Sequence, residues 1–200
     1  MTLRDRLTKM LNCGGLITLF ITSILLCMTG PVAAQFDVHA FFAQAEREGR
    51  VGIARKTRLV DARPASPGEV VVTTILGEGE ETRSPPASEG DRVVRNRCPQ
   101  TGNEEILVTY SKFGERYEGP LSPADSAGWQ PFRPRGSEML YTIVPRIMQS
   151  FSFVAPWGES MIARPGDSIV RDPTNPTDTY RIAALAFTCT YEIIRPARAE

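Results

Sequence analysis

The stretch that decides the fold is GDRVVR at residues 90–95, because it returns as GDSIVR at residues 166–171. Each copy is followed by a similar closing pattern, FGERYE at 113–118 and FTCTYE at 187–192. The period, from Gly90 to Gly166, is too long for a solenoid unit and suits a small module. The sequence therefore predicts two copies of one module.

Short β-branched and apolar runs separated by turn residues surround both copies, for example at 69–76, 92–96, 106–110 and 139–144. Several short strands at close spacing are typical of a sandwich or small barrel. We expect a mainly β protein with two homologous small antiparallel modules, behind a signal peptide and one short helix. The helix is predicted from the apolar spacing in 36–49, with Asp37 at its start and Gly49 at its end.

The segment boundaries follow from these patterns. Residues 51–67 mix basic residues with Ala, Pro and Gly, which indicates a connection over the surface. Residues 187–194 alternate and indicate a last strand with Cys189 on its apolar face. The predicted segments are a signal peptide (1–34), the N-terminal helix and linker (35–66), a first β module (67–118), a Pro-rich linker (119–138), a second β module (139–194) and a C-terminal tail (195–200).

The N-terminus has the features of an export signal. Three basic residues in the first nine positions precede an uncharged apolar run, and 32–34 offers small residues for a signal peptidase. We expect cleavage before Gln35 and a periplasmic or secreted protein. An uncleaved anchor is the alternative, because the apolar stretch 11–28 approaches the length of a membrane span.

Cleavage would leave two cysteines, Cys98 and Cys189. An oxidising compartment permits them to pair. The expected position of Cys189 on the apolar face of a strand favours a small buried hydrophobe instead. We expect two free thiols, with a disulfide as the alternative.

The residue content excludes several kinds of chemistry. His39 is the one histidine, which excludes a Ser–His–Asp triad within the repeats and any site built from several histidines. The 23 Lys and Arg balance 23 Asp and Glu without a basic block, so a nucleic-acid partner is not expected. No phosphate-binding loop is present. We expect no cofactor, no metal and no catalytic residues.

Arg95 and Arg171 occupy the same place in the two copies. We expect each to pair with the closing carboxylate of its module, Glu118 or Glu192, across neighbouring strands. The alternative is that the two arginines bind an anionic ligand. The repeated Gly-Asp has a backbone explanation: Gly adopts a turn geometry and Asp accepts from the turn amides.

Trp129 and Trp157 are the remaining candidates for ligand binding. A Trp in a turn between strands can be a platform for sugars or peptides. It more often covers the end of a β core, and this is the role that we expect for both.

The second copy resembles the PGDYG family of small bacterial and phage β modules. The match rests on RPGD at 164–167 with Phe187, Tyr191 and Glu192. A weaker match in the first copy rests on GEET at 79–82, on Gly90-Asp91 and on FGERYE at 113–118. Together they cover most of 67–194, although Ser168 stands where the family usually has an aromatic. The resemblance implies a β module of unassigned role and transfers no catalytic residue.

These observations favour an exported, non-catalytic binding or structural protein of the bacterial envelope. Its partner would be a protein or an envelope ligand, and a membrane would be involved only through an uncleaved signal segment. The alternative is a carboxylate-dependent periplasmic hydrolase with a site between the two modules, using Glu80 or Glu81 with Glu159. A third hypothesis is an inhibitor or immunity-type factor.

Overall fold

The computed structural model describes residues 35–198, so the expected signal peptide lies outside the described residues. The protein is mainly β with antiparallel sheets, as predicted. The helices of the described part are α1 (Val38–Arg47), α2 (Tyr110–Arg116), α3 (Ala184–Thr190) and a 3₁₀ turn (Pro99–Thr101). Its strands are β1 (Gly52–Lys56), β2 (Val60–Pro64), β3 (Val72–Ile75), β4 (Gly79–Arg83), β5 (Arg92–Asn96), β6 (Glu105–Val108), β7 (Tyr117–Glu118), β8 (Gln130–Pro134), β9 (Glu138–Ile143), β10 (Phe151–Val154), β11 (Ser160–Ala163), β12 (Ser168–Asp172), β13 (Asn175–Ile182) and β14 (Tyr191–Arg195).

Two five-stranded sheets share one strand order. The first sheet has the order β6-β5-β2-β8-β7 and the second β13-β12-β9-β1-β14, and each is accompanied by a hairpin, β3–β4 or β10–β11. Strands β5 and β12 directly follow the repeated Gly-Asp, and β7 and β14 begin with the closing Tyr-Glu. Strand β1 takes the place in the second sheet that β8 takes in the first. The described residues belong to one compact unit, and the division into two modules stays a prediction.

The stretch 51–67, predicted to be a surface connection, instead contains β1 and β2. Both strands lie inside a sheet and pair with a neighbour on each side. Their most buried positions include the small residues Ala54 and Ala62, so the sequence shows no apolar run. The predicted Pro-rich linker likewise contains β8, which pairs with β2 and β7.

The predicted strand at 187–194 is also wrong in its first half, because the chain is helical from Ala184 to Thr190 and extended only from Tyr191. The apparent alternation is misleading there. Leu185 is 51% exposed, whereas Phe187 is 6% exposed and packs in the core.

The helix predicted near the N-terminus is confirmed as α1. The side chain of Asp37 accepts from the backbone N–H of Ala40 (2.9 Å), and Gly49 follows the helix with a φ of +66°. The buried face of α1 includes Phe42, which packs with Phe153 and Ile169 of the second sheet's core. That burial supplies the packing that so short a helix needs.

The repeated aspartate holds a turn and a helix together in both copies. Asp91 accepts from the backbone N–H of Ser88 in the turn (2.8 Å) and from Tyr110, the first residue of α2 (2.9 Å). Asp167 makes the equivalent bonds, to Arg164 (2.7 Å) and to the first residue of α3 (3.0 Å). The preceding glycine has a φ of +89° in one copy and +91° in the other. The turn role predicted for Gly-Asp is confirmed.

Candidate functional site

A cavity of about 420 Å³ lies between the segments that carry the two repeats. The first repeat contributes residues of β5, β6, α2 and β7, and the second contributes residues of β13, α3 and β14. A cavity of this size is within the range of small-molecule sites. Its apolar wall includes Ile106, Val108, Met139, Trp157, Met161 and Ile182.

One polar wall is built around Lys56, the last residue of β1. The Lys56 ammonium donates to the Asn96 side-chain oxygen (2.5 Å) and to the Tyr117 hydroxyl (3.4 Å). Asn96 in turn donates from its amide nitrogen to Glu104 (2.7 Å), and Thr101 donates its hydroxyl to the other oxygen of Glu104. The amide of Asn96 therefore separates the ammonium from the nearest carboxylate of this wall.

A second polar wall comes from α2 and β13. Lys112 and Arg116 of α2 both donate to one carboxylate oxygen of Asp178, at 2.6 and 2.7 Å. The guanidinium of Arg116 also lies 6.0 Å from the centre of the Tyr180 ring. Tyr180 and Asp178 raise the pKa of Arg116, although burial opposes the charged form. Two cations therefore share one carboxylate at this wall.

The closing tyrosine of each repeat reaches the cavity. Tyr117 stacks on Phe113 with ring centres 5.2 Å apart, and Tyr191 stacks on Phe187 at 5.0 Å. Tyr191 is the direct cross-strand partner of Lys56. Burial, with Tyr180 close by, raises the pKa of Tyr191 well above its ordinary value, so its hydroxyl keeps its proton. The repeat thus delivers two hydroxyls to one site.

Arg181 of β13 lines the same cavity and joins the segments of the first repeat to those of the second. Its side chain is fully buried and forms ion pairs with Asp167 (2.7 Å), Glu78 (2.6 Å) and Glu81 (2.6 Å). Burial opposes the charge on Arg181, but these carboxylates raise its pKa. Burial raises the pKa of Glu81 to about 7, although the positive charge of Arg181 acts to lower it. Glu81, which lines the cavity, therefore exchanges a proton near neutral pH.

The pairing predicted for Arg95 is wrong. Arg95 bonds to Asp61 (3.3 Å) and lies 4.2 Å from the centre of the Trp129 ring. Glu118 pairs with Arg133 of the neighbouring strand (3.3 Å). The reason is the strand order, which places β2 and β8 between β5 and β7.

The pairing predicted for Arg171 is wrong for the same reason. Its guanidinium bonds to Glu46 of α1 (3.3 Å) and lies 4.1 Å from the centre of the Phe42 ring. Glu192 pairs instead with Arg55 of β1 (2.9 Å). Neither Arg95 nor Arg171 lines the cavity.

The two tryptophans have different surroundings. Trp129 lies between the guanidinium groups of Arg63 (5.2 Å) and Arg95 (4.2 Å), away from the cavity wall. Trp157 lines the cavity and lies 6.2 Å from Tyr180, ring centre to ring centre. Both are partly buried and pack against core residues, as expected of covering residues. Only Trp157 combines that role with access to the candidate site.

The carboxylates proposed for a hydrolase are not all found at one site. Glu81 lines the cavity, but Glu80 is an exposed residue paired with Arg83 (2.8 Å). Glu159 is exposed before β11 and does not line the cavity.

The expectation of two free thiols is wrong, because Cys98 and Cys189 form a disulfide with their Cα atoms 5.9 Å apart. The helical turn of α3, which the sequence pattern concealed, brings Cys189 to the 3₁₀ turn beside Cys98. The bond therefore joins the first repeat to the second.

His39 lies exposed on α1, as expected.

Sequence reasoning missed Lys56, Asn96, Lys112, Asp178 and Tyr180. The available signal is the closing tyrosine, which occurs at the same place in both copies. The other residues lie outside the repeated motif, and their convergence depends on how the two sheets meet.

The fold and cavity define a mainly β protein with a mixed apolar and charged site among the segments that carry the repeated motifs. No family model, curated protein or solved structure matches the chain. None of the helices in the described residues has the length and apolar character that a membrane crossing requires.

Proposed function

We propose that this protein is an exported, non-catalytic binding protein of the bacterial envelope, and that it holds a small molecule in the cavity between its repeats. The observation that carries the proposal is the cavity itself, whose walls come from both repeats and combine an apolar surface with a few charged groups. This combination is typical of small-molecule sites.

Export is supported by two features. The sequence begins with the basic and apolar pattern of a signal peptide. The Cys98–Cys189 disulfide is the kind of bond that forms and persists in oxidising compartments.

The experiment uses 8-anilinonaphthalene-1-sulfonate as the probe and Trp157 as the reporter. A Trp129→Phe background leaves Trp157 as the single tryptophan of the mature chain. We expect energy transfer from Trp157 to the bound dye. Ala186→Leu, in the cavity wall, should weaken dye binding about tenfold, because added side-chain volume occupies the site.

The matched control is Ala87→Leu, an equally small-to-large change at a buried alanine that does not line the cavity. Its affinity for the dye should stay within about twofold of the parent. Equal binding by Ala186→Leu and the parent would show that the dye binds elsewhere and would remove the support for this cavity.

The alternative function is a carboxylate-dependent hydrolase with its site in the same cavity. The observation that favours it is the raised pKa of Glu81, about 7, which suits a general acid. Binding is the better supported function, because Arg181 holds the Glu81 carboxylate and the expected partner of Glu81, Glu159, does not line the cavity.

A further inference from the structure

Lys56 carries a charge that no carboxylate neutralises within ion-pair distance among the described residues. Its two hydrogen-bond partners, the Asn96 amide oxygen and the Tyr117 hydroxyl, are both neutral. An ammonium has three N–H donors, so these two bonds leave one for another acceptor. A partly buried charge without a counter-ion is costly, and an anion bound in the cavity would relieve that cost.

At the second polar wall, two cations face one carboxylate within ion-pair distance. Lys112 and Arg116 share the single carboxylate of Asp178. Glu104, the carboxylate nearest to Lys56 through Asn96, has both oxygens engaged by neutral donors. These two polar walls therefore offer cations and hydroxyl donors to a ligand, and their carboxylates, Glu104 and Asp178, already accept hydrogen bonds from protein groups. Such a set of groups selects an anion over a cation or an amine.

Apolar side chains form a large part of the remaining wall. Trp157, Met161 and Ile182 line the cavity together with Ala183 and Ala186 of the α3 region. These side chains offer a ligand no charge, and their contribution to binding is the burial of apolar surface. A ligand that uses both parts must have an apolar body and an anionic end.

We infer that the ligand is a small amphiphile with one acidic head group, whose head binds between Lys56 and the Lys112–Arg116 pair and whose body lies against Trp157 and Met161. This inference rests on the proposed function and specifies the class of ligand. The shared chemistry is a carboxylate or a phosphate on an apolar body.

The test compares two dyes that differ in one acidic group. 8-Anilinonaphthalene-1-sulfonate carries a sulfonate, and N-phenyl-1-naphthylamine is the same aromatic skeleton without it. Both are titrated into the full mature chain and into Lys56→Met. We expect Lys56→Met to weaken binding of the sulfonate dye about tenfold, since a charge-assisted bond is lost. The uncharged dye should bind both proteins within about twofold.

The matched control is Arg58→Met, which removes an exposed positive charge two residues away that does not line the cavity. It should leave the affinity for both dyes unchanged. If Arg58→Met weakens the sulfonate dye as much as Lys56→Met does, general surface charge explains the effect and the inference is overturned.

Competition on the unmodified protein keeps the test independent of how well Lys56→Met folds. Octanoate or octyl phosphate should displace the sulfonate dye at concentrations at which 1-octanol does not, and the more effective of the two identifies the head group. Equal displacement by 1-octanol overturns the inference and leaves the binding function standing. Failure of both dyes to bind the parent protein overturns the binding function as well.

Discussion

Glu81 lies in the middle of β4, where the pairing with β3 is irregular, with 9% of its side chain exposed and its carboxylate against the buried guanidinium of Arg181. Burial raises its pKa to about 7, compared with 4.5 for the free side chain. Between pH 4.5 and about pH 7, the Glu81 side chain therefore keeps a proton in the folded protein and releases it in the unfolded chain. The contribution to stability is therefore fully present below pH 4.5 and is lost as the pH rises towards 7, with a magnitude of about 3 kcal/mol.

The measurement is urea denaturation at pH 5 and pH 8. Glu81→Gln should lose less of its free energy of unfolding between these pH values than the wild-type protein does, because its amide does not titrate. Glu80→Gln changes an exposed carboxylate one residue away and should keep the wild-type dependence. A Glu81→Gln protein with the wild-type dependence would show that another group is responsible.

Lys56 shows why the candidate site could not be predicted from the sequence. It lies in a stretch whose small and basic residues indicate a surface connection, and its neighbours Asn96, Tyr117 and Tyr191 come from three distant segments. Their convergence depends on β1 entering the second sheet between β9 and β14. No local pattern encodes that pairing.

Among the elements, those with a local pattern were predictable. Strand β5 has the predicted bounds, and α1 lies within the predicted helix, because a β-branched run and a capped apolar period need only neighbouring residues. The partners of the repeated arginines were not predictable, since they depend on strand order. The closing glutamates pair across β7–β8 and β14–β1, with Arg133 and Arg55.

The short helices α2 and α3 were missed because their N-terminal caps are distant in the sequence. Thr109 precedes α2 without a side-chain cap bond, and the N–H of Tyr110, which has no partner within the helix, donates to the side chain of Asp91 instead.

Asp91→Ala removes the bond from Tyr110 and also the bond from Ser88 in the turn, at a buried position. We expect a loss of about 3 kcal/mol in the free energy of unfolding, measured by urea denaturation, because both bonds involve a charged acceptor.

The control is Asp125→Ala. Asp125 also accepts from two backbone N–H groups, of Ala127 and Trp129, but it is exposed. Water can replace its bonds, so the expected loss is under about 1 kcal/mol. Similar losses for the two variants would contradict the idea that Asp91 is the buried cap of α2.

In the whole molecule, several connections join the segments that carry the two repeats. Strand β1 comes from the N-terminal side of the first repeat and pairs with strands of the second. Arg181 of β13 binds Glu78 and Glu81 of the first half, and the disulfide joins the 3₁₀ turn to α3. The cavity lies among these connections, so its shape depends on the two halves staying together.

The disulfide is the connection that can be removed without a change in side-chain charge. Its two cysteines are 91 residues apart in the chain, and closing a loop of that length stabilises the folded state by about 4.6 kcal/mol in the chain-entropy model. The variant with both Cys98→Ser and Cys189→Ser should lose about that much in urea denaturation. Dithiothreitol should lower the stability of the wild-type protein similarly and leave the variant unchanged.

The same variant separates a structural role of the disulfide from a role in the site. Cys189 lies on α3, whose Ala186 and Thr190 line the cavity, so release of α3 from the 3₁₀ turn should loosen that wall. Under conditions in which the variant is still folded, we expect it to bind 8-anilinonaphthalene-1-sulfonate more weakly than the wild-type protein does. Unchanged dye affinity together with lowered stability would show that the Arg181 ion pairs and β1 hold the cavity in shape without the covalent bond.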